Sequence, residues 1–307
     1  KKMSLNIVFM GTPEFAIPTL EQLINSNHKV ICVYTQPSKK KSRGQKIQKT
    51  PVHIFSEKKG LMVRTSKLTD ENELTKFKDL KPDLVIVVAY GQIIPSSFLE
   101  ISNLNFLNVH ASLLPKWRGA APIERAILNG DKETGISIMK IQNKLDSGPY
   151  IMQTRIKIDS ETNSGELKEK LSILGANTLI QSIDLILSKE RNFIDQNDKE
   201  ASYAKKIEKE ETKINWQEDA EKIILKINAF SPKPGAWFYF DKLRIKIHKA
   251  KIVNLSGKPG TLLDDQLTVA TKKNAIKILK LQKEGKNIVD AADFLKGNKV
   301  NKNVILN

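Results

Sequence analysis

The sequence predicts an α/β domain followed by a small β domain, and three observations carry that prediction. Short apolar runs alternate with segments of helical periodicity over the first two hundred residues. One run, "LVIVVA" at 84–89, is largely β-branched, as befits a strand buried on both faces. After Trp216 the pattern changes to short alternating strands set off by turns. The first part therefore reads as a Rossmann-like parallel sheet with crossover helices, and the last as a small barrel of OB type.

Taken in order, Asn6–Met10 is a first strand, Pro13–Asn25 a helix through Phe15, Leu20 and Leu23, and Val30–Tyr34 a second strand. Phe106–His110 and Ile136–Ile141 supply later strands, and Ser164–Lys189 a long amphipathic helix with Leu167, Leu171, Leu174, Leu179 and Ile183 on its apolar face. The polar run 188–212 has few anchors besides Phe193, Ile194, Tyr203 and Ile207, so it reads as an interdomain connection that wraps against the first domain. The expected domains are 1–189, a linker 190–209, and 210–307. In the last, Leu243, Ile245 and Ile247 fall on one strand face and Arg244, Lys246 and His248 on the other, while Ala275 begins a similar strand.

The 307 residues suffice for two cores. A single Cys32 gives no disulfide framework, and no uninterrupted apolar stretch reaches the roughly 18–20 residues needed to cross a bilayer. A cytoplasmic, monomeric protein with no membrane partner is expected. The net charge is +17, and between 222 and 307 there are 18 Lys and Arg against six Asp and Glu. That asymmetry favours a polyanionic partner for the C-terminal part. A second basic segment, 36–50, carries Lys39, Lys40, Lys41, Arg43, Lys46 and Lys49 with no acid and no periodicity. It reads as an exposed loop beyond the carboxyl end of a strand, which leaves a nucleic-acid contact and plain solvation equally open.

The first turn argues against a dinucleotide. After the first strand comes Gly11-Thr12-Pro13-Glu14, with one glycine where the dinucleotide fingerprint needs three; Pro13 has no N–H for a phosphate and Glu14 repels one. No Walker A sequence occurs. Neither a nucleotide cofactor nor a metal is expected.

The chemistry-bearing pattern is "FLNVHASLLPKWRGAAPI" at 106–123. Asn108 and His110 lie two apart on a strand and so share a face, with Leu107 and Val109 on the other. A carboxylate, Asp146, sits in a later post-strand loop, "KLDSGP". An amide, an imidazole and a carboxylate suit acyl-type transfer without a covalent intermediate: the first two can stabilise an oxyanion, the third can orient the imidazole or accept a proton. With no Ser or Cys nucleophile in a suitable setting, the nucleophile belongs to the substrate.

"NVHASLLPKWRGAAPI" resembles the signature of the folate-dependent formyltransferases, in the form carried by those that act on methionyl-tRNA. "FMGTPEFA" at 9–16, "TQP" at 35–37, "RG" at 43–44, "VVAYGQIIP" at 87–95, "SYAKKIEKEETKINW" at 202–216, "FSPKPGAWF" at 230–238 and "LQKEGK" at 281–286 extend the likeness over nearly the whole chain. It implies transfer of a formyl group from 10-formyltetrahydrofolate to the α-amino group of initiator methionyl-tRNA. Asn108, His110 and Asp146 are then the catalytic trio, and Ser112, Leu113, Leu114 and Pro115 border the folate. The basic segment with Lys39, Lys40, Lys41, Arg43 and Lys46 contacts the acceptor stem, and the C-terminal barrel holds the tRNA. Two positions depart from the pattern: Lys144 precedes Leu145 where many relatives have glycine, and Asn215 stands in place of an aspartate. The nearest alternatives are formyltransferases acting on glycinamide ribonucleotide or an amino sugar nucleotide, and an inactive RNA-binding protein on the same fold.

Overall fold

The computed structural model describes residues 3–41, 46–101, 106–190 and 192–306. The chain folds into two units. The first comprises residues 1–119, 134–156 and 168–203; the second, 120–133, 157–167 and 204–307.

The strands of the first unit's seven-stranded sheet are β1 (Asn6–Gly11), β2 (Lys29–Tyr34), β5 (Val63–Arg64), β6 (Leu84–Val88), β7 (Phe106–His110), β9 (Glu133–Lys140) and β10 (Tyr150–Lys157). A small hairpin, β3 (Lys39–Lys41) with β4 (Lys46–Gln48), and the two-residue strands β8 (Arg118–Gly119) and β11 (Tyr203–Ala204) lie outside it. The sheet order is β10-β9-β7-β6-β1-β2-β5. From β5 to β7 every pairing is parallel, and β9 joins β7 antiparallel, so the sheet is mixed rather than wholly parallel. The five residues of β6 are all buried, as its β-branched composition requires. Around the sheet run the helices α1 (Ile17–Ile24), α2 (Pro51–Lys58), α3 (Glu73–Asp79) and α4 (Ser96–Leu99).

Two further helices, α5 (Pro122–Leu128) and α6 (Ser164–Ser188), follow in the chain. By length and composition α6 is apolar enough to span a membrane. Leu171, Ala176, Leu179 and Ile183 are nevertheless buried, and a Cβ on Gly175 would lie 2.8 Å from Val109 and 3.4 Å from Ile136, so this helix packs closely on β7 and β9 as a core helix.

The carboxyl ends of the central strands are tied together by polar groups. Thr12 Oγ1 donates to Tyr90 O at 2.7 Å, and Gln36 Nε2 donates to Tyr90 O and Gly91 O. Gly91 has φ +79°, and a Cβ there would collide with the Gln36 amide. Gly11 ends β1 where a Cβ would meet Phe9 and Ala16. The first turn is thus closely packed, and glycine is required there. Under the sheet Glu73, 1% exposed, accepts two bonds from Arg64 and one from Tyr34. The Arg64 guanidinium holds this carboxyl below its ordinary range.

Within 36–50, read from the sequence as an exposed loop, the described residues include two short strands, with β3 and β4 paired at Lys39–Gln48, Lys40–Ile47 and Lys41–Lys46. A lysine-rich hairpin lacks the apolar alternation by which strands are recognised, so backbone pairing alone reveals it.

In the second unit α7 (Ala220–Phe230) packs against α5, and Arg125 of α5 holds Glu211 bidentately at 2.6 and 2.9 Å. Strands β12 (Ala236–Phe240), β13 (Leu243–Val253), β14 (Thr268–Ala270), β15 (Ala275–Lys283) and β16 (Ile288–Asp290) form an antiparallel sheet, with α8 (Ala291–Lys296) against β15. The alternation expected along β13 holds at Ile245 and Ile247 and fails on either side. Leu243 is exposed, and a register shift between Ile247 and Lys249 turns His248 inward. His248 lies between Ser231 Oγ and Gln282 Oε1, at 3.2 and 3.0 Å.

Candidate active site

β7 has an apolar face because the sheet and α6 cover it, and the same alternation sets Asn108 and His110 together on the opposite side. Asn108 is half-buried, and no described group bonds to its side chain. His110 is buried, with Nε2 2.9 Å from Trp117 O. A carbonyl oxygen only accepts, so Nε2 carries a proton and Nδ1 is the nitrogen that faces Asp146, 3.7 Å from Oδ2. That separation is an electrostatic contact rather than a hydrogen bond. The same Oδ2 accepts from the Gly119 backbone N–H at 2.8 Å.

The structure therefore brings together all three residues singled out from the sequence, with one change in what each has to offer. The Nε2–H of His110 is donated to Trp117 O, whereas the Asn108 amide has no partner among the described residues and is open to an incoming oxygen. Trp117 reaches this position with φ +60° and Asp146 reaches its own with φ +44°, conformations uncommon outside glycine. Strain of this kind persists only where surrounding contacts hold it.

The loop 112–115 divides in two. Ser112 and Leu114 are buried. Ser112 O accepts from Ser137 Oγ at 2.7 Å, Leu114 N donates to the same hydroxyl at 3.0 Å, and Gln153 Nε2 donates to Leu114 O at 2.8 Å. Only Leu113 and Pro115 are partly exposed, so they are the side chains this loop can offer a ligand.

Of the basic positions, Lys39, Lys40, Lys41 and Lys46 lie on the β3–β4 hairpin, and Arg43 is outside the described residues. In the second unit the Arg244 guanidinium stands 4.1 Å over the Trp237 ring, and Lys213 Nζ is 5.7 Å from the ring of Tyr239, which is 41% exposed. Cations beside an accessible aromatic ring suit a nucleic-acid strand, whose phosphates and bases they engage separately.

Nothing in the sequence points to the groups behind Asp146. Gln196 Nε2 donates to Asp146 O and Gly148 O at 2.9 and 2.6 Å, from within the stretch expected to be a linker. Polar residues in a polar run carry no periodic signal, and only the anchors Phe193 and Ile194 hint that this segment returns to the sheet; Ile194 indeed bridges Tyr150.

A mixed α/β sheet that carries Asn108 and His110 on one strand with Asp146 beside the imidazole, and an antiparallel β domain later in the chain, suit a group transferase. The formyl transferase model matches residues 5–183 and the model of the formyl transferase C-terminal domain matches 206–299, so the chain belongs to the formyl transferase family. It is 46% identical over 301 residues to the methionyl-tRNA formyltransferase of Pelagibacter ubique, covering 97% of each chain. It is 42% identical over 304 residues to the methionyl-tRNA formyltransferase of Paramagnetospirillum magneticum, covering 98% of this chain and all of that protein. Among solved structures, an N-formyltransferase from Helicobacter canadensis in complex with folinic acid and dTDP-3-aminofucose shares the fold, with a TM-score of 0.69 at 21% identity over 92% of this chain and 100% of that one.

Proposed function

We propose that the chain transfers the formyl group of 10-formyltetrahydrofolate to the α-amino group of methionine esterified to initiator tRNA, in the cytoplasm and as a monomer. The observation that carries this reading is the approach of Asp146 to His110 beside an Asn108 amide that has no partner among the described residues. An α-amino group titrates near pH ~7.7–8.0, so a neutral fraction is present without a strong base. Its nitrogen attacks the formyl carbon, and the carbonyl electron pair moves to oxygen, where the Asn108 amide donates a hydrogen bond. Asp146 and His110 carry the proton from the attacking nitrogen toward N10 of the folate as the bond between the formyl carbon and N10 breaks. No covalent enzyme intermediate forms.

Leu113 and Pro115 border the folate, with Ser112 and Leu114 fixing their loop from inside. The basic segment 36–50, with Lys39, Lys40, Lys41 and Lys46 on the β3–β4 strands and Arg43 between them in sequence, meets the acceptor stem, and the basic C-terminal domain takes the phosphates of the tRNA. Methionyl-tRNA, a free amino sugar nucleotide and glycinamide ribonucleotide are to be offered in parallel with 10-formyltetrahydrofolate. Turnover with methionyl-tRNA alone is expected; transfer to either small acceptor in its place would overturn the reading. Affinity for tRNA should also fall steeply between low and physiological salt, through counterion release.

A further inference from the structure

We infer that Gln196 is a positioning residue for Asp146, with Lys144 and Asp198 forming a second tether of the same loop. This rests on the role given to Asp146 above. Both polar atoms of the Gln196 head group are engaged: its amide N–H groups serve Asp146 O and Gly148 O, and Oε1 accepts from Arg118 Nε at 3.0 Å. The Arg118 side chain is 0% exposed and donates through Nη2 to Asp198 Oδ1 at 2.8 Å. Asp198 Oδ2 in turn accepts from Lys144 Nζ at 2.6 Å, two residues before Asp146. The backbone N–H of the residue after Arg118, Gly119, holds the Asp146 carboxylate.

The backbone and the carboxylate of Asp146 are thus gripped from two sides, and both grips return to the dipeptide Arg118-Gly119. The left-handed conformation of Asp146 explains the need for them, since an aspartate at φ +44° relaxes when nothing outside the loop holds it. A displacement of the carboxylate by about 1 Å from His110 lowers the rate of chemistry about 10²-fold. The Lys144 ammonium, on the same loop as Asp146, adds an exposed tether to Asp198.

A purely architectural role, in which Gln196 only anchors Arg118, is separable by two substitutions. Gln196→Glu keeps the shape and the acceptor for Arg118 but loses the N–H groups that reach Asp146 O and Gly148 O; Gln196→Ala loses both. Both variants are expected to lower kcat by about ten- to a hundredfold, with KM for tRNA and folate within about twofold of the parent. Gln196→Glu should lose less Tm than Gln196→Ala, because its carboxylate keeps the acceptor for Arg118. Lys144→Met should lower kcat about threefold and Lys144→Arg should restore it, as expected of an exposed tether. Parental kcat in Gln196→Glu overturns the inference, and so does a kcat loss in the two variants that follows their Tm in proportion. Asp146→Asn in the same assay keeps the two readings apart: if it turns over normally, the role of Asp146 itself fails.

Discussion

His110 Nδ1 and Asp146 Oδ2 stand 3.7 Å apart, although thirty-six residues of chain separate them. Asparagine at 146 keeps an oxygen for the Gly119 N–H while removing the charge that faces the imidazole. Asp146→Asn is expected to lower kcat by about 10²–10⁴ with substrate KM little changed, the usual scale for a lost proton-transfer group. Single-turnover formylation measures this directly, and an undiminished rate would remove Asp146 from the proton route.

Asn108 contributes to the same step differently. Its amide has no described protein partner, so substitution strands no buried group and the fold should tolerate it. Asn108→Ala is expected to reduce kcat by about 10²–10³, as for loss of an oxyanion donor, with Tm unchanged. A KM effect with normal kcat would place the amide in substrate binding instead.

The Arg64–Glu73 pair contributes to stability in acid. Arg64→Ala leaves a buried carboxylate without its main partner, and removing one member of a buried pair costs about 3 kcal/mol or more. Glu73 has a depressed pKa, chiefly through its bond from Arg64 and also through Tyr34. Its contribution is therefore complete above the unfolded value of about 4.3 and is lost as pH falls through the folded value. Urea titrations of Glu73→Gln across pH 3–6 should show a flatter acid limb than the parent.

His248 acts in the same direction at higher pH. Desolvation lowers its pKa, with the Lys246 charge adding to the effect, so the folded protein favours the neutral ring held between Ser231 and Gln282. The unfolded chain takes up the proton first. Stability is then complete above the unfolded value of about 6.5 and declines as pH drops below it. Replacing His248 by Gln should abolish the part of the decline that sets in below about pH 6.5; an unchanged profile would exclude this group as its source.

Much of this is legible in the residues. Phe106–His110 has the same bounds in sequence and structure, because alternating apolar positions and an abrupt loop leave little choice of register. Asp146 is legible as a residue type in a loop, but its nearness to His110 depends on the antiparallel pairing of β9 with β7, which no local pattern encodes. Simple alternation puts His248 on the solvent face, and the structure turns it inward; a bulge adds a residue without altering composition. Gln196 and Asp198 are hidden for the opposite reason, since their partners are backbone carbonyls and a distant arginine rather than a hydrophobic face.

The carbonyl of Trp117 gives the imidazole its partner, and that has a consequence for anyone surveying this site by substitution. Every residue type carries a carbonyl there, so an alanine scan passes over the group that fixes the proton on Nε2. What a side chain at 117 controls is only whether the backbone keeps φ +60°, a demand that glycine meets more easily than tryptophan and proline cannot meet. An amide-to-ester exchange between 117 and 118, which weakens that oxygen as an acceptor, would reach a determinant of the chemistry that no codon change can delete.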